Sequence, residues 1–178
     1  MRFFRSKVKV TPYELGRVLT DLTYSCSDMN RLTDMLSGVA GFESGEERYA
    51  RIAHKEWFIM NMFGIVYACQ ETIPSGKCNA VLAAYHLHIY NRLSYLGWTY
   101  RQIDEFEVLL NRRYKDYQQT LRINNPPGPL YHLGRYAAKR MLGHGYGDNH
   151  YAIITSRKIF AGIGKAAEKM IRKTYEVI

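Results

Sequence analysis

The sequence has no apolar segment long enough to span a bilayer, and this absence limits the classes of protein to consider. Its longest apolar run has 13 residues, from Trp57 to Cys69, and is interrupted by Asn61 and Gly64. A membrane-spanning helix needs about 20 such residues. The first ten residues are basic but contain neither a sustained apolar stretch nor the small-residue cleavage site of a secretory signal. The sequence therefore predicts no membrane association and no export.

Cysteine is also scarce. The chain has three cysteines, Cys26, Cys69 and Cys78, an odd number with no CxxC pair among them. A domain of 178 residues buries roughly 70% of its unfolded surface, so it needs no disulfide framework to hold a core. Secreted small domains depend on paired cysteines, whereas reducing compartments keep thiols free. We therefore expect a cytoplasmic protein.

Acidic residues are few in the last third of the chain. The net charge is +9, and residues 121–178 carry ten Lys or Arg against three Asp or Glu, which gives +7 of that total. Residues 1–60 and 61–120 carry only +1 each. Any anionic partner is therefore expected to meet the C-terminal third.

Helical patterns dominate what is present. Thr11, Pro12 and Glu14 combine a capping residue, a proline suited to the first helical position and the closing residue of a capping box. Apolar residues then recur at spacings of three and four as far as Leu36, with a polar patch at 25–28 that could kink or split the helix. A second capping box, Ser44 with Glu47, precedes the long apolar run.

Two nearly all-apolar helices are predicted next to each other. The first runs from Glu46 to Cys69, and the second, Asn79–Leu96, follows a turn at Pro74-Ser75-Gly76. A helix that is apolar on every side belongs in the middle of a bundle. Joined by a tight turn, the two helices should form a buried antiparallel hairpin over 46–96. The predicted fold class is therefore all-α, a bundle-like globule of five or six helices around this hairpin.

The sharpest break in the chain is Asn124-Asn125-Pro126-Pro127-Gly128-Pro129. It follows a helix that begins with a third capping box, Thr99 with Gln102. Prolines of this density cannot lie inside a helix. We therefore predict a helical body over 1–125 and a basic unit over 126–178, within one domain overall. The basic unit should contain a helix at about 129–142, a glycine-rich loop at 143–149 and a final helix to about residue 175.

Signatures of catalysis or of metal and cofactor binding are not found. His86 and His88 are two residues apart, which places them about 200° apart around a helix, so they cannot share one ion. In the predicted hairpin Asn61 faces His88, and a buried hydrogen bond between them satisfies both groups. The loop at 143–149 matches no nucleotide-binding pattern and is expected to act as a helix stop and cap. We assign no catalytic, metal or cofactor-binding residue and expect no cofactor.

The basic C-terminal helices are the strongest functional lead. If Leu130, Leu133, Ala137 and Met141 form a buried stripe, the other side of their helix turns basic and tyrosine side chains outward. Cations neutralise phosphates, and exposed tyrosines stack on unpaired bases. An ordinary solvated face is the first interpretation of this pattern, a surface for single-stranded or irregular nucleic acid is the second, and a surface for an acidic protein partner is the third. The candidate residues are Tyr131, Arg135, Tyr136, Lys139, Arg140, Lys165, Lys169, Arg172 and Lys173.

Three functions of different classes follow from these patterns. Fifteen tyrosines and seven methionines leave room for a protein-binding or self-association surface, which makes a non-enzymatic interaction module our first hypothesis. Nucleic-acid binding through the C-terminal helices is the second. An enzyme with its site between the central helices is the third, and no motif supports it. The expected partner is thus another protein or a second copy, with nucleic acid as the alternative.

Overall fold

Helices account for nearly all of the regular structure. The computed structural model describes residues 7–27, 47–143 and 148–178. In the second helix, the side chains are described from Arg51 onward. Within these ranges there are six helices and two short strands. They are β1 (Val8–Val10), α1 (Pro12–Cys26), α2 (Glu47–Thr72), α3 (Ser75–Tyr95), α4 (Tyr100–Leu121), α5 (Pro129–Leu142), α6 (His150–Thr174) and β2 (Tyr175–Val177). The predicted all-α, bundle-like fold is confirmed.

Helix α2 is the buried centre of the fold, as its apolar sequence predicts. From Trp57 to Cys69 every side chain is buried except Tyr67, which is 40% exposed. Each large apolar side chain that is fully removed from water stabilises the fold by roughly 1.5–3 kcal/mol, so this one segment is a main source of stability. Its principal partner is α6. At their crossing, a Cβ added to Gly64 would lie 2.6 Å from Cγ2 of Ile163.

Helix α3 packs mainly against α1, and much less against α2. Only one stripe of α3 is buried: Cys78, Val81, Tyr85, Ile89 and Leu93. The backbones of α1 and α3 approach closely at Gly16, where an added Cβ would lie 2.7 Å from the amide nitrogen of Tyr85. The hydroxyls of Thr23 and Tyr85 share a hydrogen bond of 2.7 Å across the same contact. The turn at Pro74 joins α2 and α3 as predicted, but each helix takes a different principal partner.

The predicted hydrogen bond between Asn61 and His88 is wrong. The Asn61 side-chain amide donates to the Ser27 hydroxyl at 2.9 Å and to the Cys26 carbonyl at 3.2 Å. His88 Nε2 instead donates to the carbonyl of Tyr13 at 3.2 Å. Helix α1 is the reason: it lies along α3, and its C-terminal end reaches Asn61 on α2.

Most predicted helix ends are found. The capping boxes at Thr11 and Thr99 are both formed, and Asn149 caps α6 by accepting from the amide of Ala152 at 3.0 Å. Gly97 and Gly143 follow helices with φ of +91° and +98°, a conformation that other residues rarely adopt. Helix α1 ends at Cys26, inside the polar patch. The Ser44–Glu47 capping box and the remainder of the first predicted helix lie outside the described residues, as do residues 144–147 of the glycine-rich loop.

The two strands were not predicted, because each has only three residues. They pair in parallel, with Val8 opposite Tyr175 and Val10 opposite Val177. The amide of Ile178 then donates to the carbonyl of Val10 at 3.0 Å. This ribbon joins the segment before α1 to the segment after α6. The chain from Tyr151 to Thr155 is helical, as expected.

The two C-terminal helices are part of the same core as α2. On α5 the predicted stripe is correct for Leu133, Ala137 and Met141, whereas Leu130 is 37% exposed. On α6 the buried stripe includes Ile159, Ile163, Ala167 and Ile171, which follow one another in steps of four residues. Among the described residues no helix has the length and hydrophobicity needed to cross a membrane.

Candidate functional site

Three of the nine predicted anion-binding residues lie on one side of α5. Arg135 forms an ion pair with Asp148, with Nη2 and Oδ1 2.6 Å apart, although its Nε is buried without a hydrogen-bond partner. Tyr131 is half-buried and meets the His132 ring edge-on, with centroids 6.0 Å apart. Lys139 is also half-buried. This side of α5 therefore offers less free cationic surface than the sequence indicated.

Tyr136 and Arg140 were also predicted to face outward; Tyr136 is half-buried and Arg140 is exposed, and the two side chains are hydrogen-bonded to each other. The Tyr136 hydroxyl donates a short hydrogen bond to the Asp116 carboxylate and accepts one from Arg140 Nε at 3.1 Å. Its ring meets that of Tyr117 edge-on at 5.7 Å. Burial, together with the bond to Asp116, raises the pKa of Tyr136. Because its hydroxyl binds Asp116 and its ring packs against Tyr117, both on α4, Tyr136 is poorly placed to stack on a nucleotide base.

A buried ion pair lies beside this contact. Arg113 on α4 binds Glu56 on α2 with Nε 2.7 Å from Oε1 and 2.9 Å from Oε2. Both residues are buried, and the Tyr117 hydroxyl donates to Glu56 at 3.4 Å. Burial opposes the charge on Arg113, but the hydrogen bonds that Arg113 donates to Glu56 and the negative charge of that carboxylate together outweigh burial and raise the pKa of Arg113. No sequence pattern indicated this pair, since its members are 57 residues apart.

The predicted cations of α6 are on the surface. Lys165, Lys169 and Lys173 are all exposed, at spacings of four residues, and Lys158 is exposed on the same helix. Arg172 is exposed as well and forms an ion pair of 2.9 Å with Glu168. We call these five residues the α6 basic face.

Strand pairing adds two cations that sequence reasoning missed. Lys7 and Lys9 are exposed at β1, and the register places Lys9 opposite Glu176, three residues after Lys173. The N-terminal lysines therefore lie near the C-terminal end of the α6 basic face. A basic first segment and a basic last helix were both visible in the sequence, but nothing in it indicated that they meet.

The surroundings of His86 and Cys69 indicate structural roles for these two residues. His86 Nδ1 donates to the Leu82 carbonyl at 2.8 Å, and its Nε2 accepts from the Tyr114 hydroxyl at 3.2 Å. Burial lowers the pKa of His86 and favours the neutral ring. Burial also raises the pKa of Cys69 to about 12, so this thiol stays protonated at neutral pH. In the described parts of the chain, no three His, Cys, Asp or Glu side chains are grouped closely enough to hold a metal ion.

Three large side chains project from the connection between α3 and α4. Tyr95 is 90% exposed, Leu96 60% and Tyr100 87%. Gly97 makes the turn possible with its positive φ, and the Thr99 capping box fixes the start of α4. We call Tyr95, Leu96 and Tyr100 the aromatic tip. Its backbone is well determined by local interactions even though its side chains are in water.

A cleft of about 620 Å³ adjoins the aromatic tip. The ends of α1 and α3 and the beginnings of α2 and α4 form its walls. Its apolar lining consists of Phe58, Leu93, Leu96, Trp98, Phe106 and Leu109. Its polar lining includes Arg51, His54 and Lys55 from α2, and Gln102 and Glu105 from α4. Pockets of roughly 300–1,000 Å³ with apolar walls and a few polar groups are typical binding sites for small molecules.

Comparisons with protein-family models, with curated proteins and with solved structures return no match for this chain. The functional proposal therefore depends on the surfaces described above.

Proposed function

We propose that this protein is a non-enzymatic interaction module that binds another protein, or a second copy of itself, through the aromatic tip. The observation that carries the proposal is the exposure of Tyr95 and Tyr100, at 90% and 87%. Isolated apolar side chains on a surface need no explanation, but adjacent large ones are typical of an interaction site. Tyrosine in particular is enriched in protein interfaces and among the residues that dominate their energy.

The rigid backbone of the tip supports the same proposal. A surface that is already ordered loses less conformational entropy on binding, so more of the contact energy appears as affinity. Gly97 and the Thr99 capping box supply that order here. The partner is expected to present an apolar patch with hydrogen-bond acceptors for the two tyrosine hydroxyls.

Site-specific photo-cross-linking tests the proposal directly. A photoreactive phenylalanine analogue is introduced in place of Tyr95 or Tyr100, and irradiation of intact cells should give a discrete adduct. The matched control is the same analogue at Tyr151, an exposed tyrosine on α6 at 47%. Mass spectrometry of the adduct distinguishes a second copy from a different protein. If neither tip position gives an adduct beyond that of Tyr151, the proposal fails.

Nucleic-acid binding is the second candidate, and the alignment of lysines on α6 favours it. Exposed cations at four-residue spacing, with Lys7 and Lys9 beyond their end, form a row that suits a phosphate backbone. The contribution of α5 to such a surface would be smaller, since Arg135, Tyr136 and Arg140 make internal contacts.

Fluorescence anisotropy with a labelled single-stranded RNA, at 50 and 200 mM salt, tests this candidate. Reversing Lys165, Lys169 and Lys173 to Glu should abolish binding. Replacing Tyr136 with Phe should leave it unchanged, because that ring is turned to Tyr117. No binding by the native protein at low salt removes nucleic acid from consideration.

A further inference from the structure

Helix α3 leaves one long side in contact with solvent. Its two flanks are occupied, since His86 Nε2 accepts from the Tyr114 hydroxyl on α4 and His88 bonds to the carbonyl of Tyr13 on α1. Leu87 lies between these flanks, points away from the protein and is 48% exposed. Helical spacing places five other exposed residues in line with it. We call this row the outer face of α3: Gly76, Ala80, Ala83, Leu87, Asn91 and Ser94.

The outer face carries no charge along the whole of α3. This helix is described throughout, and its only Lys, Arg, Asp or Glu residues are Lys77 and Arg92, which lie outside the row. Lys77 Nζ donates to the Val177 carbonyl at 2.6 Å, and Arg92 forms an ion pair of 3.1 Å with Asp21. In a chain of net charge +9, two identical molecules can meet at this face without bringing like charges together.

The aromatic tip continues the outer face beyond the C-terminal end of α3. At 1.5 Å per residue, Tyr95 lies about 12 Å from Leu87 along the helix axis, and Asn79 lies equally far in the other direction. If two α3 helices cross antiparallel at Leu87, Tyr95 of one copy therefore reaches the beginning of α3 in the other. Gly76 and Ala80 leave room for a ring there, and nothing lies within 4 Å of a Cβ added to Gly76.

The exposed side chains supply the area that a dimer needs. An aromatic side chain buries roughly 150–250 Å² when it is covered, so Tyr95 and Tyr100 from both copies together account for about 600 Å². Specific interfaces bury about 1,200 Å² or more in total. Leu87 and Leu96, which are also exposed, and the alanines of the outer face add to the contribution of the tyrosines.

We propose that the partner of the aromatic tip is a second copy of this chain, bound through an antiparallel contact of the two α3 helices with Leu87 at the twofold axis. This inference rests on the function proposed above, because the tip forms both ends of the contact. Each tip packs on the beginning of α3 in the other copy, so the interface is self-complementary, as a twofold dimer requires.

Sedimentation velocity of the full chain over a range of concentrations measures the dimer and its dissociation constant. Leu87→Lys places two like charges at the axis and should raise this constant at least about tenfold. Tyr95→Ser with Tyr100→Ser should also weaken the dimer. The matched control is Tyr151→Lys, which adds the same charge at an exposed position on α6 and should leave the constant unchanged. Circular dichroism verifies that each variant folds.

Introduced cysteines test the antiparallel arrangement. Leu87→Cys should give a disulfide-linked dimer on mild oxidation, because a residue on a twofold axis faces its own copy. Two copies of Ala83→Cys lie about 12 Å apart along the axis, beyond the reach of a disulfide, and should not link. Ala83→Cys mixed with Asn91→Cys, on chains with tags of different size, should give the mixed dimer. The native protein with its three cysteines is the blank.

Three results would overturn the inference. They are a native protein that is monomeric at every concentration, a Leu87→Lys variant that dimerises as tightly as Tyr151→Lys, and an Ala83→Cys variant that links to itself as readily as Leu87→Cys. Photo-cross-linking from Tyr95 separates this failure from that of the proposed function. An adduct with a different protein supports the tip as a binding site and excludes the second copy as its partner, whereas no adduct removes both.

Discussion

At Gly16 the backbone of α1 approaches α3 so closely that no side chain fits between the two helices. An added Cβ would lie 2.7 Å from the amide nitrogen and 2.8 Å from the preceding carbonyl carbon, both in the backbone of α3. Backbone atoms cannot move aside as a flexible side chain can.

The first prediction concerns this contact. Gly16→Ala should lower the free energy of unfolding by about 1–3 kcal/mol, since α1 and α3 must separate to admit the methyl group. Gly162→Ala is the matched control, because it is also helical but nothing lies within 4 Å of the added Cβ. That variant should gain about 0.5–1 kcal/mol from helix propensity. Urea denaturation measures both, and equal effects of the two substitutions would contradict the close approach.

The second prediction concerns the buried pair of Glu56 and Arg113. Arg113→Met should cost about 3–5 kcal/mol, because it leaves a buried carboxylate without its partner. The double variant with Glu56→Met as well should be more stable than Arg113→Met alone, since no uncompensated charge then remains. A double-mutant cycle by urea denaturation measures the coupling. Additive losses from the two substitutions would show that the pair does not act as a unit.

The third prediction follows from His86. Its folded pKa lies below its unfolded value of about 6.5, because burial disfavours the charged ring. The contribution of neutral His86 is therefore fully present above about pH 6.5 and is lost as pH falls toward the folded pKa, at up to about 1.4 kcal/mol per pH unit. Stability of the native protein should fall between pH 7.5 and 5.5, and that of His86→Gln should fall less. Parallel pH profiles would contradict the assignment.

Among the elements, most helix boundaries followed from the sequence, whereas helix partners did not. The start of α3 is an exception, since it lies at Ser75 and not at Asn79. Thr11 and Thr99 were recognisable as caps because a capping box is local and needs residues only three positions apart. The burial of α2 followed from its composition. That α2 would pack on α6 depended on Gly64 meeting Ile163, about a hundred residues further along the chain. Hydrophobic periodicity identifies the buried face of a helix but not the helix that covers it.

Surface residues, too, could be predicted from the sequence where their position depends on one helix and could not where it depends on several. Sequence spacing identified the exposed lysines of α6, because the polar residues of an amphipathic helix recur on the side that faces the solvent. It misplaced Tyr136, whose position depends on Asp116 of the preceding helix. Of the aromatic tip, only the turn at Gly97 could be recognised in the sequence. No sequence pattern indicated the cleft, since four helices contribute to its lining.

The fourth prediction concerns the start of α4. Thr99→Ala removes the side-chain oxygen that accepts from the Gln102 amide at 3.3 Å, and should lower stability by about 1 kcal/mol. Thr99→Ser retains a hydroxyl at the same position and should lose much less. Thermal unfolding compares the two. A loss as large for Ser as for Ala would mean that the methyl group of Thr99, and not its hydroxyl, stabilises this end of the helix.

In the part of the chain that the structure describes there is one continuous core, and it includes Val10 just before α1 and Ile171 near the end of α6. Phe63 on α2 lies 5.6 Å from Phe160 on α6 and 5.2 Å from Tyr117 on α4, ring centroid to ring centroid. The proline-rich segment before α5 is a turn within this arrangement, and α6 beyond it covers a main face of α2. The division of the chain at residue 125 into a helical body and a basic unit stays a prediction. The folding of the isolated body tests it.

The fifth prediction is that residues 1–125 do not fold cooperatively without the rest. This fragment would expose the α6-binding face of α2, including Phe63, to water. We expect a broad thermal transition for the fragment alone, and a sharp one when residues 126–178 are co-expressed with it. Circular dichroism and calorimetry on both samples decide the matter. A sharp, reversible transition of the isolated fragment would show that the body is an independent domain.

The parallel ribbon of β1 and β2 determines how the protein responds to mechanical load. Its strands run in the same direction, so tension applied outward at the two ends of the chain pulls one strand along the other. Shear of this kind loads the inter-strand hydrogen bonds together, whereas a zipper geometry breaks them one after another. The helices are therefore shielded from force until the ribbon yields, and a molecule stretched from its ends should give way first at Val8–Val10.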